Sequence, residues 1–179
     1  MFEVILTFLF LLLIFFIASV VLKLLLIFIC ILIIATGIYA TFSGAPYLPT
    51  KKRQIEAMKK LAAFTKRDIV YDLGCGDGRI VRAVSKIGVR NVIGYEFSFL
   101  TYVVARFLGG DIRFGNFWFR DFSDATVIIC FLLPGSMERF GKEIWPTLKK
   151  GTRVLSNAFP IKGISHVDNI DGVYFYVKK

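Results

Sequence analysis

The sequence predicts a doubly wound α/β fold: a mainly parallel seven-strand sheet with an antiparallel edge, preceded by an N-terminal transmembrane helix. Three observations carry this. From Val4 to Ala40 the one charged residue is Lys23. From Asp68 to Trp145, β-branched apolar runs alternate with segments of helical spacing, and three strand-like runs close the chain. Between the first strand and its helix lies "DLGCGDGR", with glycines at positions 74, 76 and 78.

The apolar N-terminus exceeds the roughly 20 residues that a helix needs to cross a bilayer. It is also longer than the ~7–15-residue apolar region of a secretory signal, and its one early charge, Glu3, is negative. A retained anchor over residues 1–41 is expected, with residues 4–40 in contact with lipid. Two forms fit. One is a single long tilted helix with Lys23 snorkelling to an interface. The other is a hairpin turning at Lys23. The single helix is preferred, because no Gly, Pro, Asn or Asp stands near Lys23 to make a turn.

Gly44, Pro46 and Pro49 break the apolar run, so residues 42–50 read as a linker and residues 51–179 as the folded domain. Thr50 is placed to cap a helix whose apolar face is Ile55, Met58, Leu61 and Ala62. The expected strands are 68–73, 91–96, 111–114, 125–133, 152–159, 164–170 and 173–177. The expected helices between them are 79–87, 98–108 and 136–145. Helix 98–108, "SFLTYVVARFL", is apolar on nearly every side.

The formal charge is +10, and since Glu3 and Lys23 cancel, it lies in the part after the anchor. Lys51, Lys52, Arg53, Lys59, Lys60, Lys66 and Arg67 follow the apolar segment, a cluster retained on the cytoplasmic side of a membrane. The simplest reading of this charge is a solvated basic face that fixes topology. Anionic headgroups are a second partner, at about 1 kcal/mol per close basic residue. Cys30, Cys75 and Cys130 are scattered and odd in number, which argues against a disulfide framework and a zinc site. No metal is expected. The lone His166 reads as a surface residue of a late strand.

The glycine turn is where chemistry is expected. A strand, a tight glycine turn and a helix N-terminus bring backbone N–H groups close to an anionic or polar ligand. The spacing is G-x-G-x-G, so the third glycine comes one place too early for the dinucleotide pattern G-x-G-x-x-G. No Gly-Lys-Ser/Thr follows, which excludes a Walker A loop. Glu96 ends the second strand eighteen residues after Gly78, where an acidic side chain can hold ribose hydroxyls.

"DLGCGDGR" resembles the first motif of the seven-strand S-adenosylmethionine-dependent methyltransferases. "GAPYLPT", "GYE", "DATVIICFLLPGSMER" and "GTRVLSNAFPIKG" narrow the likeness. In this order they resemble the small protein-lysine methyltransferases. That group includes the archaeal broad-specificity lysine enzyme and the mitochondrial enzymes acting on the adenine nucleotide translocase and on the c-ring protein of ATP synthase. The resemblance runs from Gly44 to Val177. It implies S-adenosyl-L-methionine as cofactor, with Tyr47 and Thr50 closing the site. It implies that Asp72, Gly74, Cys75, Gly76, Gly78 and Glu96 bind the cofactor, and that Asn116 and Phe117 meet the adenine. Phe131, Leu132, Leu133 and Pro134, with Asn157 to Pro160, would border a target lysine.

The reaction expected is methyl transfer to the lysines of membrane or membrane-adjacent proteins. The Asn/Asp-Pro-Pro-aromatic clamp of enzymes acting on planar amides and adenines is absent from the fourth strand end, so no nucleic-acid partner is expected. No general base is assigned, because methyl transfer from a sulfonium needs mainly alignment and a neutral amine. Two other readings stay open. One is a methyltransferase for a small apolar or lipid-like acceptor, such as a quinone or an amino lipid. The other is a catalytically silent, cofactor-binding membrane scaffold.

Overall fold

The computed structural model describes residues 2–42 and 48–179, which form two units, Met1–Ala35 and Thr36–Lys179. The first unit is formed by the part of helix α1 up to Ala35, and that helix runs unbroken over Phe2–Phe42. Between Phe10 and Ile34, Leu, Ile, Phe and Val point outward all around it, and Phe10–Ala35 is long and apolar enough to cross a membrane. At 1.5 Å per residue those 26 residues reach about 39 Å, beyond the ~30 Å of a hydrocarbon core. The helix passes Lys23 without a turn, which fits the absence of any breaker there.

The second unit is built on a seven-stranded sheet of order β3-β2-β1-β4-β5-β7-β6. The strands are β1 (Ile69–Leu73), β2 (Asn91–Glu96), β3 (Asp111–Phe114), β4 (Val127–Cys130), β5 (Arg153–Asn157), β6 (Asp168–Ile170) and β7 (Val173–Val177). The first five run parallel, and β7 pairs antiparallel with both β5 and β6. The helices are α2 (Lys52–Ala62), α3 (Arg79–Lys86), α4 (Phe99–Leu108) and α5 (Pro134–Glu143). Two 3₁₀ turns, Phe117–Phe119 and Trp145–Thr147, complete it.

The strand period of two sorts side chains to opposite faces. In β4, Val127 and Ile129 join one core with Ile55 and Met58 of α2, Val81 and Val84 of α3, and Ala105 of α4. Ile128 and Cys130 join the other, with Met137 and Phe140 of α5, Phe117, Trp118 and Phe122. Covered on both faces, β4 is buried at all four positions, as a central parallel strand should be.

The edges depart from the sequence expectation in several places. Strand β4 ends at Cys130, because Phe131–Leu133 leave the sheet before α5 begins. Helix α5 starts two residues early, with Pro134 in its first turn, where the missing N–H costs nothing. Thr50 does not cap α2. Lys51 holds that position, and its N–H donates to Gln54 Oε1 at 3.1 Å. His166 is exposed ahead of β6, with its ring edge-on to Tyr174.

At the opposite end of the sheet from the glycine turn, Asp68 ties the base together. Burial pushes its carboxyl up, but N–H and hydroxyl donors from Thr65 and Thr126 and the charge of Arg153 outweigh that and hold it low.

Candidate active site

Strand order reverses beside β1. The chain passes from β1 to β2 and β3 on one side, then returns to β4 on the other. The crevice at such a switch point, past the carboxyl ends of the strands, is where open α/β sheets bind ligands. Register fixes what gathers there. Leu73 pairs with Tyr95 and Cys130, and Cys130 with Ser156. One residue further along each chain stand Gly74, Glu96, Phe131 and Asn157 at a common level.

The glycine turn is wound in the left-handed region. Gly74, Gly76 and Gly78 have φ of 73°, 56° and 74°, which side chains with a Cβ adopt only with strain. At Gly78 a Cβ would also stand 2.9 Å from Ile112 Cδ1. Gly74 and Cys75 both donate N–H to the Tyr95 carbonyl. The Cys75 side chain turns inward, leaving only its backbone toward the crevice. It can do so because β2 carries Gly94 there: a Cβ on Gly94 would meet Cys75 Sγ at 2.7 Å and Val81 Cγ2 at 2.9 Å. Burial, first of all, raises the Cys75 thiol pKa.

Three carboxylates surround this turn, in three different states. Asp77 is held low, first by hydrogen bonds from the Arg79 side chain. Glu96 is buried yet braced: Oε2 accepts from Gly76 N–H at 2.9 Å and Oε1 from Ser98 N–H at 2.7 Å. Burial still raises its pKa. Asp72 is 2% exposed, and its Oδ2 has no hydrogen-bond partner among the described residues. Burial, then the charges of Glu96 and Asp77, push it up to about 8. A buried, unpartnered acceptor beside a second buried carboxylate suits a ligand bearing positive charge, and each Glu96 oxygen keeps lone pairs for hydroxyl donors.

Arg79 also reaches outward, donating to the Thr50 carbonyl at 3.2 Å. Thr50 is buried, so this bond pins the chain entering the domain onto the turn. Tyr47 lies outside the described residues. Asn116 caps the 3₁₀ turn, its Oδ1 accepting from Trp118 N–H at 3.0 Å. Phe117 packs against Trp118 within the core. The aromatic rings nearer Glu96 are different ones. Phe97 follows it in sequence and stacks on Phe114, with centroids 5.9 Å apart and planes 10° from parallel. Sequence reasoning missed Phe97, Gly94 and Arg79. Only the position of Phe97 directly after the acidic strand end signalled it.

Residues 72–168 match the model of the ANTKMT methyltransferase domain, more than half of the chain. The chain belongs to this methyltransferase family. It is 37% identical over 149 residues to the protein-lysine N-methyltransferase of Saccharolobus islandicus, covering 74% of this chain and 92% of that one. It is 28% identical over 123 residues to a Mus musculus lysine N-methyltransferase named for the c-ring protein of ATP synthase. That match covers 64% of this chain but only 49% of the mouse enzyme. It is also 29% identical over 124 residues to the adenine nucleotide translocase lysine N-methyltransferase of Mus musculus, over 65% of this chain and 54% of that one. Among solved structures, the fold resembles an RNA methyltransferase from Salinibacter ruber in complex with S-adenosyl-L-homocysteine. There the TM-score is 0.69 at 28% identity, over 73% of this chain and 94% of that one.

As a member of this family the chain is an S-adenosylmethionine-dependent protein-lysine-type N-methyltransferase. The cofactor supplies a methyl group already activated on a sulfonium. Its positive charges match the acidic crevice at Asp72 and Glu96, so the residues present fit it. On the far side of β1 the character changes. Phe131 and Leu133 are half-buried and Pro134 is exposed, whereas Leu132 points into the core and is no part of the lip. Asn157 ends β5 fully buried, and neither Oδ1 nor Nδ2 has a hydrogen-bond partner among the described residues. Half-buried Phe131 and Leu133 and exposed Pro134 thus follow β4 beside the acidic crevice, level with the end of β5, where the buried Asn157 amide has no hydrogen-bond partner among the described residues.

Proposed function

We propose that this chain is a membrane-anchored methyltransferase that acts on lysine side chains of membrane or membrane-adjacent proteins. The observation that carries the acceptor assignment is the Asn157 amide, buried without partners among the described residues and level with Phe131 at the apolar end of β4. An ammonium has a pKa of about 10.4 in water, and an apolar mouth favours the neutral, nucleophilic amine. Asn157 Oδ1 would accept an N–H of that amine and so orient its lone pair for methyl transfer. The gain is one of alignment, with no general base.

On the donor side, Asp72 receives the cationic end of the cofactor and Glu96 its ribose hydroxyls. The backbone of Gly74, Cys75, Gly76 and Gly78 lets the ligand approach closely. Asn116 offers its amide toward the adenine, and Phe117 supports that wall from within the core. Thr50, held by Arg79, closes the entrance, a role that the family resemblance also gives to Tyr47. Residues 1–41 serve as anchor, 42–50 as closing linker and 51–179 as catalytic domain. The basic cluster from Lys51 to Arg67 keeps that domain on the cytoplasmic side. The relatives named for lysine methylation, one of them for the adenine nucleotide translocase, support a lysine-bearing protein as acceptor.

The test is transfer of a labelled methyl group by the purified full chain to a membrane extract. Label on protein lysines, located by mass spectrometry, is expected. Label confined to lipid or to RNA would overturn the reading.

A further inference from the structure

Helix α4 is oddly placed for its composition. It crosses between β2 and β3 on the same sheet face as α3, yet it buries only Ala105. Phe99, Leu100, Val103, Val104, Phe107 and Leu108 are all exposed, Phe107 by 92%. At 3.6 residues per turn these six cover about half of the helix circumference, with Leu100 and Phe107 near the middle of the arc. Ala105 and Tyr102 lie on the opposite side, toward the sheet, where Tyr102 and Phe99 meet Phe114. Arg106 flanks the arc and is exposed. No acidic residue occurs between Phe99 and Leu108. Next to α4, exposed Arg113 pairs with Asp111.

An exposed apolar stripe of this kind marks an interaction site rather than an ordinary surface. We propose that the α4 face is a lipid-contacting surface, lying in the headgroup–acyl boundary with Arg106 reaching an anionic headgroup. Three features favour lipid over a protein partner. The six exposed side chains are hydrocarbon only, with no donor or acceptor to select a particular protein. The flanking charge on the helix is basic, which complements anionic lipid. The same chain carries α1, so a bilayer is present at high effective concentration. The inference rests on the anchoring proposed above. It adds that the catalytic domain itself seats on the membrane. Glu96 accepts from the N–H of Ser98, which immediately precedes α4, so the seated helix adjoins the cofactor crevice. This fits an acceptor lysine presented near the membrane surface.

The test uses the full chain with Cys30→Ala, since Cys75 and Cys130 are buried and unreactive. Phe107→Cys, labelled with an environment-sensitive fluorophore, is placed in nanodiscs of phosphatidylcholine and phosphatidylglycerol. Leu100→Cys serves as a second site. Lys142→Cys on α5, whose buried residues pack in the opposite core, is the aqueous control. Expected are blue-shifted emission and several-fold weaker iodide quenching at 107 and 100 than at 142, with strong quenching by brominated acyl chains at those two sites alone. Equal iodide quenching at all three sites would overturn the inference while leaving the anchor intact. Shielding from iodide without quenching by brominated lipid would overturn it too, in favour of a protein occupant. Failure of the chain to float with vesicles after alkaline carbonate extraction would instead remove the anchoring reading, and this one with it.

Discussion

The two halves of the crevice are built on opposite principles. Beside β1 and β2 the site is acidic and wound from left-handed glycines, and it is braced: Glu96 holds Gly76 and Ser98, and Arg79 links Asp77 to Thr50. Beside β4 and β5 it is apolar, with one amide left without partners among the described residues. The first half prepares a fixed ligand of known charge. In the function proposed above, the second is where the acceptor would come and go. Among the described residues each holds one buried polar group unsatisfied, Asp72 and Asn157, a cost in stability that the proposed function would explain by a ligand met there.

The sharpest way to break this contrast is Asp72→Asn. Hydrogen bonds to charged groups contribute about 1.5–3 kcal/mol, so S-adenosylmethionine affinity should fall ~10–100-fold in calorimetry. Stability without ligand should move the other way. Asp72 titrates at about 8 in the folded chain against 3.8 ordinarily. The folded state therefore holds the proton more tightly, and the contribution of this group to stability declines as pH rises from 3.8 to about 8. Thermal melts of the native chain should drop between pH 5.5 and 8.5, and those of Asp72→Asn should drop less. Asp68, whose pKa is depressed, acts oppositely and only in acid, where its contribution is lost as pH falls through its folded pKa.

Gly94→Ala tests the packing beneath the donor half. Its Cβ has no room against Cys75 and Val81, and overpacking typically costs about 1–3 kcal/mol. Denaturation should show the loss, with weaker cofactor binding because the glycine turn must shift. Asn157→Leu tests the acceptor half and should leave cofactor affinity unchanged. It should slow methyl transfer and raise stability by about 1 kcal/mol, since a buried amide without partners is replaced by hydrocarbon. A parallel fall in cofactor affinity would show that the two halves are not separable. The smallest effect is a proton count. A cation beside Asp72 lowers its pKa, so binding at pH 7 should release less than one proton, read from calorimetry in two buffers of different ionisation enthalpy.

The donor half was legible in the sequence because its chemistry is local. A turn that needs three left-handed residues shows as three glycines, and an acidic strand end shows as Glu96. The acceptor half was legible only in outline. "VIICFLLP" reads as one apolar run, and nothing in it marks where the sheet stops. Pairing with β1 and β5 ends at Cys130, which turns Leu132 into core and leaves Phe131 and Leu133 at the mouth. Gly94 was likewise unreadable, since its reason lies in the Cys75 side chain nineteen residues earlier.

By itself the sequence determined the long apolar helix, the strand–helix alternation and the turn that fits S-adenosylmethionine. Each depends on contacts within a few residues. Tertiary structure decided which polar groups lack partners and which apolar ones lack cover. Asn157 and α4 show this most plainly: whether a side chain is satisfied or buried is set by what the rest of the fold brings against it.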